Sequence, residues 1–417
     1  MDKFIINGGQ KLSGKIRVSG AKNAILPIMT AALLAKGKTI LHNVPHLNDI
    51  KMMAHLLRVI GARVDFQAGT MEIDTTHCSY YEAPYELVSK MRASIYVLGP
   101  LLARFGEAKV SFPGGCAIGT RPVDLHLQAM EALGTKIEIE HGYILAKCEK
   151  LIGSKIVFDK ISVGATANTL MAAVLAEGTT EIVNAAKEPE IGSLVDLLNI
   201  MGAKISGKDS AHLTIQGVPK LHPVAMNMIP DRIEAGTFLI AGAITKSRIT
   251  VEKCCPEHLL ALNEKLIEAG CDLNISENSI ELIAPEKIRP VDICTSPHPG
   301  FPTDLQAQFM ALMAVSEGEC SIEDTVFPDR FMHVSELNRL DANIQTNENI
   351  ARVSGVEKLS GAEVMATDLR ASAALVLAGL AAEGKTTISR IYHIDRGYEQ
   401  IEKKLNLIGA DIERVLA

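Results

Sequence analysis

The sequence predicts an α/β fold of six repeats of about 70 residues, three to a domain. Three observations predict it. Helix-like segments closed by a Gly-Ala type of stop recur at Gly61-Ala62, Gly134-Thr135, Gly202-Ala203, Gly270-Cys271, Asp341-Ala342 and Gly409-Ala410, 68 to 73 residues apart. A second marker runs out of phase with the first, at Leu34-Ala35-Lys36-Gly37, Ala103-Arg104-Phe105-Gly106, Leu175-Ala176-Glu177-Gly178, Val315-Ser316-Glu317-Gly318 and Ala381-Ala382-Glu383-Gly384, with a weaker copy at Ile244-Thr245-Lys246-Ser247. The last repeat, from Thr367, is short by about the length of the first 21 residues, which precede the first repeat and complete the last.

The two markers predict different helices. The second closes stretches apolar on nearly every face, such as Ala172-Ala173-Val174-Leu175-Ala176, and a helix without a polar face has to be buried. The first closes amphipathic helices, such as Val195-Asp196-Leu197-Leu198-Asn199-Ile200-Met201, and leads into strands of period two. Each repeat therefore reads as two helices interleaved with strands. The domains expected are 22–229 and 1–21 plus 230–417. The crossings are expected near Ala21 and near Ile229-Pro230, where Pro223 and Pro230 bracket a stretch without clear periodicity.

Composition bounds the function. With 47% apolar and 22% charged residues the chain has ample material for two cores, and with no Trp an aromatic platform for bases is disfavoured. A net charge of −7 argues against duplex DNA or an anionic membrane as a partner. No export signal is visible and no apolar run approaches a membrane span. Eight cysteines show no Cys-x-x-Cys pair or zinc-like spacing, which suggests reduced thiols in the cytoplasm and no metal.

One segment stands apart. In Ser111-Phe112-Pro113-Gly114-Gly115-Cys116-Ala117-Ile118-Gly119-Thr120-Arg121-Pro122-Val123-Asp124, glycines and prolines dictate a loop, and Cys116 lies five residues before a cation. Alone, such a cysteine reads as a small residue filling a turn. Matching cations and carboxylates elsewhere make it a candidate reactive thiol.

Those matches sit where the buried helices begin: Lys22-Asn23, Arg92, Thr166 with Asn168, Asp231-Arg232 with Glu234, Asp304, and Asp368 with Arg370. Taken singly, Asp304, Thr166 and Asp368 read as N-caps, worth about 1 kcal/mol each. Lys22, Arg92, Arg232 and Arg370 break the helix-dipole rule, which disfavours a cation at a helix start, and such exceptions point to function. With Arg121, Arg330 and Arg396 in loops, they suggest a ligand bearing several phosphates, or a phosphate and a carboxylate.

Ser19-Gly20-Ala21-Lys22-Asn23-Ala24, the Pro113 to Cys116 loop running into Arg121-Pro122-Val123-Asp124-Leu125-His126, Ser162-Val163-Gly164-Ala165-Thr166, Phe301-Pro302-Thr303-Asp304 and Asp368-Leu369-Arg370-Ala371-Ser372 together resemble the enolpyruvyl transferases that act on a nucleotide sugar. The resemblance spans essentially the whole chain. It implies a two-domain inside-out α/β barrel with the active site in the cleft between domains. It also implies transfer of the enolpyruvyl group of phosphoenolpyruvate to the 3′-hydroxyl of UDP-N-acetylglucosamine, by addition and elimination, without metal or organic cofactor. That step commits the sugar to peptidoglycan.

Carried over residue by residue, the resemblance makes Cys116 the proton donor and target of the epoxide fosfomycin, and Asp304 the carboxylate facing the attacking hydroxyl. Lys22, Asn23, Arg121, Arg330, Arg370 and Arg396 would hold phosphoenolpyruvate, with Lys22 and Arg396 counted as catalytic. Asn23, Arg92, Arg121, Pro122, Val123, Asp124, Leu125, Lys160, Ser162, Val163, Asp304 and Val326 would face the nucleotide sugar. Pro328-Asp329 before Arg330 departs from the Glu-Asn the family leads one to expect. The rival readings are the shikimate-pathway enolpyruvyl transferase and a non-catalytic paralogue that only binds uridine nucleotides.

Overall fold

The computed structural model describes residues 2–89, 91–112 and 123–416. The described chain divides into two compact units, residues 20–229 and residues 2–19 with 230–416. It passes between them at Ser19/Gly20 and Ile229/Pro230. Gly20 is fixed by space: a Cβ there would lie 1.9 Å from the Asn43 carbonyl oxygen.

Each unit contains three four-stranded sheets and its own apolar core. The sheets share one pattern. In the sheet of Lys155–Val157, Thr179–Val183, His212–Gln216 and Lys204–Ser206, a short edge strand runs parallel to the strand after the apolar helix, and an antiparallel hairpin completes it. The pattern follows from the chain. In four of the sheets an apolar helix joins the parallel pair, in the other two the edge strand comes from a remote part of the chain, and in each an amphipathic helix leads into the hairpin.

The termini close the repeats. Lys3–Asn7 is an inner strand of the sixth sheet, antiparallel to both Lys385–Ser389 and Ile412–Val415. Ser13–Arg17 is the parallel edge beside Arg248–Glu252. In the other unit, Ala225–Asn227 supplies the edge beside Lys38–His42. The stretch between Pro223 and Pro230, aperiodic in sequence, thus holds a strand of three residues, too short to show alternation.

The first marker acquires a backbone reason. Gly61, Gly134, Gly202, Gly270 and Gly409 have φ between 93° and 105°, and Asp341 takes φ 65° in the fifth copy. The following N–H returns to the carbonyl five residues back, from Ala62 to Leu57 (2.9 Å), Thr135 to Met130 (3.1 Å), Ala203 to Leu198 (2.9 Å), Cys271 to Leu266 (2.9 Å), Ala342 to Leu337 (3.3 Å) and Ala410 to Leu405 (3.2 Å). This is the left-handed helix stop that glycine favours, with Asp tolerated for its short polar side chain.

The apolar helices lie inside. Every residue of Arg232–Ile244 after Arg232 is buried, and this helix packs on Gln306–Met313 and Leu369–Ala381. In the other unit Leu98–Phe105 packs on Val163–Ala173 so closely that a Cβ on Gly99 would come within 2.4 Å of the Asn168 carbonyl.

The helix starts differ from expectation in three places. Arg92 opens and Asp304 lies within 3-10 turns, Arg92–Val97 and Thr303–Leu305, ahead of their helices. The third helix begins at Val163, so Thr166 and Asn168 lie inside it. The reason is Ser162, whose hydroxyl accepts the Ala165 N–H (3.2 Å) and caps the helix earlier than its apolar run suggests.

Candidate active site

In the unit of residues 230–416 two of the expected site residues, Arg330 and Arg370, converge on a third, Asp304. Its Oδ1 receives Arg330 Nη1 at 2.8 Å and its Oδ2 receives Arg370 Nη2 at 2.9 Å. Arg330 and Arg370 are buried, at 5% and 3% exposure. Burial disfavours the Asp304 charge, but the two guanidiniums prevail and hold its carboxyl well below the usual carboxylate range. Asp304 is therefore an ion-pair centre and not a cap. A carboxylate held this way stays ionised and is a weak base while both arginines face it.

Local structure explains the convergence. Asp368 caps the Leu369–Ala381 helix, accepting the N–H groups of Arg370 (2.8 Å) and Ala371 (3.1 Å). This frees the Arg370 side chain from any local role. Arg330 also donates to Thr303 Oγ1 (3.1 Å), and Thr303 donates to Asp324 (2.7 Å). Asp324 in turn accepts the backbone N–H groups of Val326 (3.0 Å) and Phe327 (2.8 Å), which fixes the turn carrying Val326. Asp231 is the cap of the Arg232 helix, accepting N–H groups from Ile233 and Glu234. Arg396 ends the 3-10 turn Ile391–Arg396 and is half-buried.

The unit of residues 20–229 presents a second group. Lys22 opens the helix Lys22–Ala31, buried to 8% exposure, and its Nζ meets Asp49 Oδ2 at 2.8 Å. Asp49 supplies the negative charge that the helix start itself does not, which is how a cation is tolerated there. Asn23 follows, half-buried, and Arg92 is likewise half-buried. Val123 is buried, Asp124 opens the helix Asp124–Ala132, and Leu125 is half-buried. Ser162 and Val163 form the capped start described above, and Lys160 is exposed two residues before it. Cys116, Arg121 and Pro122 lie outside the described residues.

Asn168, expected at a helix start, forms the unit's buried polar centre. Its Oδ1 accepts the Gly99 N–H (2.9 Å), so its Nδ2 faces the Ile95 carbonyl (2.8 Å) and His126 Nδ1 (2.9 Å). His126 Nδ1 must then accept, which puts the ring proton on Nε2. Burial, with Arg92 adding to it, lowers the His126 pKa to about 4, so the ring is neutral at pH 7.

Sequence reasoning missed Asp49, Thr237, Gln308 and the role of Tyr398. Asp49 carries no signal, being one acid at the start of an amphipathic helix. Gln308 did carry one: Gln306 and Gln308 interrupt an otherwise apolar run and are both fully buried. Among the described residues no cluster of His, Cys, Asp and Glu is arranged to hold a metal. No helix among them is long and apolar enough to cross a membrane.

A fold of six such repeats has known counterparts. The family model for EPSP synthase (3-phosphoshikimate 1-carboxyvinyltransferase) matches residues 6–405, and the chain belongs to this family of enolpyruvyl transferases. Within it the chain is 57% identical, over 99% of its own length and 97% of the relative's, to a UDP-N-acetylglucosamine 1-carboxyvinyltransferase from Chloroherpeton thalassium. It is 53% identical, with both chains fully covered, to the protein of that name from Desulfosudis oleivorans. Among solved structures, the enolpyruvyl transferase NikO from Streptomyces tendae matches with TM-score 0.91 at 26% identity, covering 100% of this chain and 99% of that one. An EPSP synthase from Acinetobacter baumannii matches with TM-score 0.78 at 17% identity over both full chains, a likeness of fold.

Proposed function

We propose that this chain transfers the enolpyruvyl group of phosphoenolpyruvate to the 3′-hydroxyl of UDP-N-acetylglucosamine and releases phosphate, the first committed step of peptidoglycan synthesis. The observation that carries the proposal is full-length identity of 57% to a relative named for that reaction, against 17% to an EPSP synthase. The shikimate-pathway reading is disfavoured by the same contrast.

The chemistry assigns roles to the residues. The methylene carbon of phosphoenolpyruvate must gain a proton while a hydroxyl attacks the adjacent carbon. Cys116 is the proposed proton donor. Lys22, Arg121 and Arg396 are the proposed ligands of the phosphate and carboxylate, each charge-assisted contact contributing about 1.5–3 kcal/mol. Asn23, Arg92, Pro122, Val123, Asp124, Leu125, Lys160, Ser162, Val163 and Val326 are assigned to the nucleotide sugar. Asp304 takes the hydroxyl proton once a substrate anion draws Arg330 or Arg370 from it, because removing a facing cation raises a carboxylate's basicity. A non-catalytic nucleotide binder would need none of this acid and base machinery.

The reading makes the chain a cytoplasmic enzyme, since both substrates are phosphorylated metabolites of that compartment. It also requires residues of both units to act on one substrate pair. Distances between spin labels on the two units, measured with and without both substrates, test that requirement.

The decisive experiment is phosphate release from phosphoenolpyruvate, with and without UDP-N-acetylglucosamine. Release that depends on the nucleotide sugar is expected; release with shikimate 3-phosphate alone would overturn the proposal. Fosfomycin is expected to inactivate the protein and add its mass at Cys116. Mass added at another cysteine, with activity retained, would remove Cys116 from the mechanism.

A further inference from the structure

The Arg370 guanidinium spends one arm on Asp304, and its other arm has a partner that no reading of the reaction has used. Nη1 donates to the Tyr398 hydroxyl at 3.2 Å. That hydroxyl also meets Thr237 Oγ1 at 2.8 Å and Gln308 Nε2 at 3.1 Å. Thr237, Gln308 and Arg370 come from the three different inner helices of this unit, so one phenol oxygen joins all three.

Proton counting fixes the directions. Thr237 already donates to the Ile233 carbonyl (2.8 Å), so its oxygen accepts from Tyr398. Arg370 Nη1 and Gln308 Nε2 can only donate, and they fill the two remaining acceptor sites of the phenol. Every hydrogen-bonding position on the Tyr398 oxygen is thus occupied. Tyr398 is 1% exposed, and burial pushes its pKa up, so the proton stays in place at neutral pH. Gly397, just before it, packs against Leu369: a Cβ there would sit 2.6 Å from Leu369 Cδ2.

We propose that Tyr398 is a positioning residue, which holds the second arm of Arg370 to the inner helices and so aims the first arm at Asp304. The inference rests on the role given to Asp304 above. Without the phenol oxygen, Arg370 Nη1 and the Gln308 N–H lose a buried acceptor, and the guanidinium has reason to turn away from the carboxylate. The other charged groups that bear on this pair are Arg330 and Asp231, with His333 and Asp368 beyond Arg330, and His393, Arg396 and Arg390 around Asp368.

The test is Tyr398→Phe in the full chain, read by steady-state kinetics across pH. The expected result is a fall in kcat of about tenfold, because an unanchored Arg370 is no longer in place to meet the substrate anion that draws it from Asp304, with the KM for UDP-N-acetylglucosamine changed less than about threefold. The acid limb of kcat/KM should move to higher pH, because a less firmly paired Asp304 holds its proton longer. Thr237→Val, close in shape, removes only the acceptor of the Tyr398 proton and should shift the same limb in the same direction by less. It serves as the test should Tyr398→Phe fail to fold. An unmoved acid limb with unchanged kcat, or a loss of activity matched by loss of folded protein alone, overturns the proposal. Asp304→Asn separates the two readings. If it is inactive while Tyr398→Phe behaves as wild type, only the positioning role falls; if it retains full turnover, the role of Asp304 falls first.

Discussion

Both units carry inner apolar helices tied by buried polar groups, but of different kinds. In residues 20–229 the tie is Asn168, a neutral amide satisfied by Gly99 and Ile95 of the neighbouring inner segment and by His126 of the Asp124–Ala132 helix. In residues 230–416 the centre is a phenol backed by a chain of charges from Arg370 through Asp304 to Arg330. A satisfied neutral centre fixes helices and does nothing further. A charged one holds ionic groups that an anionic substrate can recruit, at the cost of desolvating them. Repetition of a backbone pattern therefore does not imply repetition of its chemistry.

The contrast is broken most directly at Arg370. Arg370→Ala leaves Asp304 facing Arg330 alone in a buried setting, and removing one partner of such a pair typically costs about 3–5 kcal/mol. Turnover should fall by at least about a hundredfold, with a lower melting temperature; phosphate release and a thermal melt check both. If turnover survives, the charged centre is structural like its neutral counterpart.

Acid sharpens the comparison next. His126 in one unit and His333 in the other are buried, and burial lowers both pKa values to about 4 from an ordinary 6.5. Between those values the unfolded chain binds protons that the folded chain refuses, so stability falls as pH drops from about 6.5 to about 4. The loss is of the order of 3 kcal/mol for each histidine. Asp304 adds a further loss to its own unit: its depressed pKa contributes stability above the ordinary carboxyl range, and this goes as pH falls through and below that range. Hydrogen exchange at graded pH should therefore show the 230–416 unit opening further at the acid end than residues 20–229.

Asn168→Ala tests the neutral centre. It strands the Gly99 N–H and His126 Nδ1, while the Ile95 carbonyl keeps the Leu98 N–H, and should destabilise the chain by about 2 kcal/mol, while kcat per folded molecule stays within about threefold of wild type. A large loss of kcat with intact stability would erase the distinction. The smallest effect belongs to a surface pair such as Lys38–Glu72, at 2.7 Å and solvated: Lys38→Ala should leave both melting temperature and turnover unchanged.

Much of this was legible in sequence because it follows local rules. The six helix stops demand left-handed backbone, which only Gly supplies freely and Asp341 tolerates, so they announce themselves at regular spacing. Lys22 and Arg370 stood out as cations where a helix dipole disfavours them. The rest depends on partners remote in the chain. Tyr398 reaches Thr237 across 161 positions and Asp304 reaches Arg370 across 66, separations that no periodicity encodes. The three-residue strand at Ala225–Asn227 is set by its pairing with Lys38–His42 and not by its own pattern.

The placement of Lys3–Asn7 bears on how the molecule is made. This strand is translated ahead of the other described strands, yet both neighbours in its sheet, Lys385–Ser389 and Ile412–Val415, follow all the rest. Residues 20–229 carry all the strands of their own sheets and can close while synthesis continues. Lys3–Asn7 has neither of its sheet partners until those two strands are made, so the unit built around Asp304 is the later of the two to mature.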